Sequence, residues 1–334
     1  MYFSEKLKQR SNNLSFMKFL AALLVIFSHC YTLSGHRELN YFYEYSGYKI
    51  ALGNVAVSMF MFFSGFYICK SIQKKNDGKE YFKARISRIF PQLIFVILIT
   101  TFVVGFLCTS LDKISYLTNI DTYKYLLNCF LIPIRNLPGV FTHNAYNISI
   151  NGALWTLTVE FICYVGVFVL FKLHLLQRKF INGLSIIGLI VFIVITNVPM
   201  LTILMEYYSA FLLFLMGMWY YLNCENIKID VKYLVLAIFA CVVMYIMQCG
   251  EWALVLFFPY IMIYLALGIK QCSNKMAKWG KYSYGIYLYG FMIQQTITYL
   301  HGGTMNPYIN ALEGMIVSIL LAMMTYQLVE KRGK

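Results

Sequence analysis

The feature that most constrains this sequence is a series of apolar runs, each long enough to cross a lipid bilayer as a helix. Ten such runs follow one another along the chain, each close to the ~20 residues that a helical span needs. None alternates with the period of two expected of a membrane β-strand. Because a backbone in lipid must satisfy its own hydrogen bonds, we expect an all-α, polytopic integral membrane protein with about ten transmembrane helices.

The predicted spans cover 15–34, 50–70, 89–109, 153–172, 181–199, 202–222, 232–248, 252–269, 283–301 and 309–329. Composition agrees, since 60% of the 334 residues are hydrophobic and only 13% are charged. A soluble protein of this length would need a larger polar shell. With neither an internal repeat nor a linker, we expect one transmembrane domain over 1–334, without an appended soluble domain.

Basic residues determine the predicted orientation. If ten spans alternate across the membrane, 23 of the 28 Lys and Arg residues fall on one side, which the positive-inside rule places in the cytoplasm. The other five are Arg37, Lys49, Lys113, Lys124 and Arg135. An even number of spans then puts both termini in the cytoplasm. The net charge of +14 is thereby explained without nucleic acid as a partner, because these residues lie in loops and not on an amphipathic face.

The longest predicted loop, 110–152, lies outside and contains a short apolar run, 126–134, that is too brief to span. Long external loops of this kind serve as lids or substrate platforms about as often as they are plain structural loops. The nine cysteines form no C-x-x-C pair and lie mostly within apolar spans, where cysteine behaves as a small hydrophobe. They predict neither a disulfide framework nor a metal site.

The first span places a cation and a base on one helix face. His29 follows Lys18 by eleven residues, which returns to within about 20° of the same direction and rises about 16 Å. Lys18 is predicted near the cytoplasmic end, and His29 well inside the membrane. An intramembrane histidine indicates function, because it must face the bundle interior or water. A hydrogen-bonded packing histidine is the alternative.

Two further positions carry charge. Arg85 and Arg88, in the predicted loop before the third span, have the i, i+3 spacing that places both guanidiniums on one helical face, where paired donors suit a phosphate. Positive-inside topology alone would also place arginines there. Together with Lys18 they predict a cytoplasmic anion site.

A buried carboxylate is predicted in the fourth span, at a depth similar to that of the histidine. Glu160 lies about 10 Å below the external end of its span, and His29 about 8 Å below the same surface. A carboxylate at that depth can set the tautomer and basicity of a histidine beside it. Ser58 in span two and Gln294 in span nine are predicted at a similar depth, where they would complete a polar pocket.

These stretches together resemble the acyltransferase-3 family of membrane acyltransferases, which O-acylate cell-surface carbohydrates in bacteria. The resemblance covers nearly the whole chain and rests on six motifs in the family's order. The motifs are Lys18 with His29, Phe60 to Phe66 around Ser64-Gly65, Arg85 and Arg88 before Pro91, Trp155 to Glu160, Ser283 to Tyr289, and Val329-Glu330. Two departures are Lys18, where many members have arginine, and Tyr289-Gly290, where many have Trp-His.

The resemblance implies a multi-pass protein of the inner (cytoplasmic) membrane that transfers an acyl group, most often acetyl, from acetyl-coenzyme A to a glycan or glycolipid hydroxyl. Lys18, Arg85 and Arg88 would hold the donor phosphates, and His29 would act as general base or acyl relay with Glu160 as its orienting carboxylate. Ser58, Trp155 and Gln294 would contact the acceptor, although an interfacial aromatic belt explains Trp155 equally well. Direct transfer and a covalent acyl intermediate both remain open.

Two other classes of function fit ten helices with buried ionisable groups. A transporter or flippase is the main alternative, but the sequence has neither an inverted repeat nor paired broken spans in two halves. A scaffold of a polysaccharide assembly complex is the other, and the shared depth of the polar residues disfavours it. The expected partners are a glycan or glycolipid acceptor and membrane lipid, and the sequence predicts no oligomeric state.

Overall fold

The computed structural model describes residues 2–6, 12–75 and 77–330, and all that it describes is helix, turn or irregular chain apart from isolated bridges at Tyr2 and Thr109. The chain is thus all-α and polytopic. Lys8, Arg10, Lys331, Arg332 and Lys334, which contribute to the predicted orientation, lie outside the described residues.

Ten long or paired helices occur at the ten predicted spans. They are α1 (Asn12–Leu33), α2 (Leu52–Lys75), α3 (Gly78–Ile99), α4 (Trp155–Lys172), α5 (Arg178–Asn197), α6 (Met205–Leu222), α7 (Val231–Ile246), the pair α8 (Gly250–Leu256) and α9 (Phe258–Ile263), α10 (Ser283–Leu300) and α11 (Pro307–Thr325). Turns of π-helix at Thr100–Gly105, Tyr264–Gly268 and Tyr326–Glu330 prolong α3, α9 and α11, and Phe106–Cys108 completes α3.

The remaining helical segments are short. They are Phe3–Lys6, Tyr41–Tyr45, Lys113–Thr118, Ile120–Lys124 and Asn274–Ala277, with 3-10 turns at Arg37–Leu39, Tyr125–Phe130, Pro199–Leu204 and Lys278–Tyr282. Three of them, Lys113–Thr118, Ile120–Lys124 and Tyr125–Phe130, lie in the predicted external loop 110–152. Asp112 caps Lys113–Thr118 by accepting from the backbone N–H groups of Ile114 and Ser115. The hydrogen bond from the Ser115 side chain, together with these backbone bonds, holds the pKa of the Asp112 carboxyl below its usual value.

Seven helices of the described chain are long and apolar enough to cross a membrane, or eight if α8 and α9 form one span bent by 48°. Pro259 is the second residue of α9, and a proline cannot donate the hydrogen bond that would continue α8 through this point. The other two predicted spans are α7, which has 16 residues, and α10, which is more polar. The total of ten spans and the position of both termini stay predictions.

The predicted start of the third span was wrong. Helix α3 begins at Gly78 and not near residue 89, so Arg85 and Arg88 belong to a helix and not to a loop. Pro91 lies inside this helix, as proline can within membrane helices where neighbouring groups satisfy the freed carbonyl.

The chain forms two compact units, each built from three separate segments. Unit 1 contains Met1–Ala21, Phe42–Tyr81 and Val159–Gly280, and unit 2 contains Ala22–Tyr41, Phe82–Thr158 and Lys281–Lys334. The prediction of a single domain over 1–334 stays a prediction.

Unit 1 is organised around the close approach of α2 and α6. A Cβ at Gly65 would overlap the carbonyl oxygen of Phe214, and one at Gly217 would overlap that of Phe62. Small residues let helix backbones approach this closely, which is a common basis of helix association in membranes. Unit 2 is organised around α10, most of whose residues are buried.

Candidate functional site

His29 lies in the part of α1 that belongs to unit 2, where this helix packs on α10. The Nε2 of Gln294 donates to the carbonyl oxygen of Ile26 at 2.9 Å, and a Cβ at Gly290 would lie 2.7 Å from Cγ1 of Ile26. One turn after Ile26, the ring of His29 meets that of Phe291, which directly follows Gly290 in α10, edge to face with centroids 5.0 Å apart. The glycine and the glutamine of α10 therefore set the position of the imidazole.

The imidazole of His29 has one nitrogen that the protein does not satisfy. Its Nδ1 is buried and has no hydrogen-bond partner among the described residues, while the side chain as a whole is half-buried. Buried polar atoms in proteins are nearly always hydrogen-bonded, and exceptions often mark functional groups. This arrangement differs from the packing alternative, in which a hydrogen bond to the protein would satisfy the ring.

The end of the external segment is held against α10 by amide side chains. Gln295 donates from Nε2 to the carbonyl oxygens of Tyr146 and Ser149, at 2.7 and 2.9 Å. Asn144 donates to the carbonyl oxygen of Gln295 at 2.9 Å, and Asn151 to that of Leu288 at 2.9 Å. Residues 144–151 are therefore fastened to the helix that contacts His29.

These bonds place the side chain of Tyr146 beside Phe291, the residue that packs on His29. The ring of Tyr146 packs on that of Phe291 with centroids 5.9 Å apart, and a Cβ at Gly152 would lie 2.7 Å from Cε2 of the same ring. This part of the predicted external loop thus contacts the residue that packs on His29. Its role as a lid or as a substrate platform stays a prediction.

Gln294 is completely buried and both of its amide hydrogens have partners. Besides the bond to Ile26, its Nε2 donates to Oδ1 of Asn310 at 2.7 Å, and Asn310 returns a bond to the carbonyl oxygen of Gln294. Only Oε1 has no partner within the described chain. Contact with an acceptor substrate would have to use that oxygen.

Glu160 lies in α4 within unit 1 and is held by two hydroxyl groups. Ser64 Oγ donates to Glu160 Oε1 at 2.6 Å, and Tyr164 Oη donates to the same oxygen. The two hydroxyl oxygens are 2.9 Å apart, and Tyr81 Oη donates to the backbone oxygen of Tyr164 at 2.9 Å. The carboxylate is therefore firmly positioned. That it orients His29 stays a prediction.

Sequence reasoning missed both hydroxyl partners, although each had a signal. Tyr164 follows Glu160 by four residues, which puts the two on one helix face, and Ser64 lies within the phenylalanine-rich motif of α2. It also missed Gln295, Asn144 and Asn151, which are polar residues beside or within an apolar span. Only the tertiary structure pairs them.

The remaining predicted site residues divide between the units. Lys18, in unit 1, has its Nζ 5.6 Å from the centroid of the Tyr67 ring, a cation–π distance. Arg85 and Arg88, in unit 2, lie one turn apart on α3, the first half-buried and the second exposed. Ser58 is buried in α2 of unit 1, and Trp155 is half-buried at the first residue of α4.

Comparison with known proteins identifies related chains. A family model described as an acyltransferase domain matches residues 11–327. The chain is also similar to an O-acetyl transferase of Shigella phage Sf6, with 28% identity over 341 aligned residues that cover 97% of this chain and 96% of the relative. No solved structure is significantly similar to it.

Proposed function

Because the chain belongs to the acyltransferase-3 family, we propose that it transfers an acetyl group from acetyl-coenzyme A, bound at the cytoplasmic face, to a hydroxyl of a cell-surface or exported glycan. Family membership and the likeness to an O-acetyl transferase make it a membrane O-acyltransferase. The donor, the acceptor and the residue roles below are the proposal.

The observation that carries the proposal is the unsatisfied Nδ1 of His29. A base whose buried nitrogen has no partner among the described residues can accept a proton from a substrate hydroxyl that enters the site. In direct transfer, His29 takes that proton as the hydroxyl oxygen attacks the thioester carbonyl carbon. The carbon–sulfur bond then breaks, and the coenzyme A thiolate leaves with the proton returned by the imidazolium. We assign Glu160 as the carboxylate that orients His29.

Donor binding is assigned to the three cationic side chains. Arg85 and Arg88 lie on one helical turn and present paired donors that suit phosphate oxygens. Lys18 precedes His29 by eleven residues of continuous helix, a rise of about 16 Å. The pantetheine arm of the donor would follow this helix from the phosphates toward the base.

Acceptor binding is assigned to Ser58, Trp155 and Gln294. The indole of Trp155 offers a flat apolar face of the kind that packs on sugar rings. Ser58 contributes a hydroxyl, and Gln294 contributes the carbonyl oxygen that has no partner within the described chain. The fixed external segment, with Tyr146 beside Phe291, supports an approach of the glycan from that side.

The test is acetyl transfer from radiolabelled acetyl-coenzyme A in membranes that contain the wild type or His29→Ala. Because general base catalysis contributes roughly 100-fold or more to rate, we expect at least that loss at equal membrane abundance. The matched control is His36→Gln, which alters an exposed histidine that pairs with Glu38 and should leave the rate unchanged. Full activity of His29→Ala would contradict the assignment.

A further inference from the structure

Unit 1 contains an apolar groove that the acyl-transfer assignment does not use. It has a volume of about 250 Å³ and runs between α4, α5 and α6. Its lining includes Gly166, Leu170, Leu184, Gly188, Leu212 and Met218. In water such a groove would be costly to leave open, whereas in a bilayer it is accessible to hydrocarbon.

Two features show that the groove opens outward and is not a packing void. Gly166 is exposed, and a Cβ built there meets no described atom within 4 Å. On the opposite wall, Ile187 is 58% exposed. Because exposed aliphatic side chains of a membrane helix face lipid, the groove is open to lipid chains.

One end of the groove is bordered by cations. Lys172 ends α4 and Arg178 begins α5, with Lys179 beside it, and all three are exposed. Leu170 precedes Lys172 by two residues, and Leu184 follows Arg178 by six, a rise of about 9 Å. A molecule lying in the groove would therefore reach these charges with its polar end.

Arg178 is positioned by a buried amide network between the same helices. Its Nε donates to Oδ1 of Asn223 at 2.8 Å, and Nδ2 of Asn223 donates to Oδ1 of Asn182 at 2.9 Å. Asn223 is only 4% exposed. The network uses one of the five N–H donors of the guanidinium and fixes the direction of the other four. An anion can then accept hydrogen bonds from those donors.

From the groove and its cationic end together, we propose that this face is a binding site for an anionic phospholipid. One acyl chain lies in the groove between Gly166 and Gly188, and the phosphate contacts Arg178 with Lys172 and Lys179 around it. Basic pockets between membrane helices are known sites for acidic lipid headgroups, and each added cation contributes about 1 kcal/mol near the surface. The site is independent of the acyl-transfer assignment.

The test is native mass spectrometry of the purified full chain in detergent, titrated with phosphatidylglycerol or with phosphatidylcholine of identical acyl chains. We expect the wild type to bind phosphatidylglycerol more tightly. Gly166→Leu places its Cβ where no described atom lies within 4 Å and extends an apolar side chain into the groove. It should weaken phosphatidylglycerol binding about tenfold, the cost of excluding one apolar group from the groove. Arg178→Gln should weaken it about fivefold, toward the value for phosphatidylcholine.

Each variant has a matched control on the same unit. Gly183→Leu also introduces a side chain where a Cβ meets no described atom, but Gly183 is not part of the groove lining. Lys232→Gln removes an exposed charge at the start of α7. Equal effects of Gly166→Leu and Gly183→Leu, or equal binding of the two lipids, would overturn the proposal. A third result would also overturn the proposal. If Gly166→Leu removed a dimer from the mass spectrum and left lipid binding unchanged, the groove would hold a second copy of the chain and not a lipid.

Discussion

At the scale of single residues, the hydroxyl pair that holds Glu160 is the most specific arrangement in unit 1. Ser64 and Tyr164 come from different helices and donate to the same carboxylate oxygen. Hydrogen bonds to an ionised group contribute about 1.5–3 kcal/mol each, more than bonds between neutral groups. A carboxylate held in this way keeps one orientation, which is what an orienting partner of a catalytic base requires.

We predict that Ser64→Ala lowers kcat for acetyl transfer about tenfold while KM for the donor changes little, because one of two bonds to the carboxylate is lost. Ser64→Thr, which keeps a hydroxyl, should restore most of the rate. Tyr245→Phe is the control, since it removes a hydroxyl whose bond goes to the Phe42 carbonyl oxygen and not to a carboxylate. If Ser64→Ala retains wild-type kcat, Glu160 does not act through this orientation.

At the scale of helices, unit 1 depends on the contact of α2 with α6. Gly65 and Gly217 each face a backbone carbonyl of the other helix, and a backbone atom cannot move aside as a flexible side chain can. The Ser64-Gly65 motif therefore contributes to helix packing as well as to hydrogen bonding. The glycine allows α6 to approach, and the serine one residue before it reaches α4.

We predict that Gly65→Ala destabilises the protein by about 1–3 kcal/mol, because the added methyl group overpacks the helix contact. The loss should appear as a lower midpoint of thermal unfolding in detergent, followed by size-exclusion chromatography. Gly183→Ala is the control, because a Cβ there is unobstructed and alanine favours the helix over glycine by up to about 1 kcal/mol. An unchanged midpoint for Gly65→Ala would contradict the predicted close contact.

Helix α10 explains why hydropathy alone identifies fewer spans than the chain has long helices. It contains Gln294, Gln295 and several tyrosines, which lower its hydropathy, but these amides are buried and bonded to backbone oxygens of unit 2. A helix surrounded by protein needs no apolar surface for lipid. Its polarity is thus a consequence of its interior position within the bundle.

At the scale of the whole molecule, orientation across the membrane rests on the distribution of charge. The family match runs over both compact units, and the basic residues are concentrated in alternate connections between the predicted spans. If α7 and the bent pair α8–α9 both cross, the connections before and after that pair lie on opposite sides. Those two connections contain Cys249 and Cys272.

We predict that Cys249 reacts with a membrane-impermeant maleimide in intact spheroplasts and that Cys272 reacts only after permeabilisation. Both thiols are half-buried, so single-cysteine variants provide a matched comparison. The measurement is the mass shift of the purified chain. Labelling of both thiols from outside would show that the bent pair does not cross, and labelling of Cys272 alone would reverse the predicted orientation.

The features that the sequence determined by itself follow from the lipid that surrounds the chain. Long apolar runs in lipid leave the backbone no choice but helix, so the all-α class and the helix positions were predicted within a few residues in most cases. The candidate base and carboxylate were also identified from the sequence, because an ionisable residue within an apolar run is conspicuous.

Only the tertiary structure decided which groups act together. It assigned Ser64 and Tyr164 to Glu160, left Nδ1 of His29 without a partner among the described residues, and fastened residues 144–151 to α10 through Gln295. The physical reason is that hydrogen bonds and close helix contacts join residues far apart in the chain. Hydropathy and charge predict whether each segment lies in lipid or in water. The hydrogen-bond pairings depend instead on which segments of the chain pack against each other.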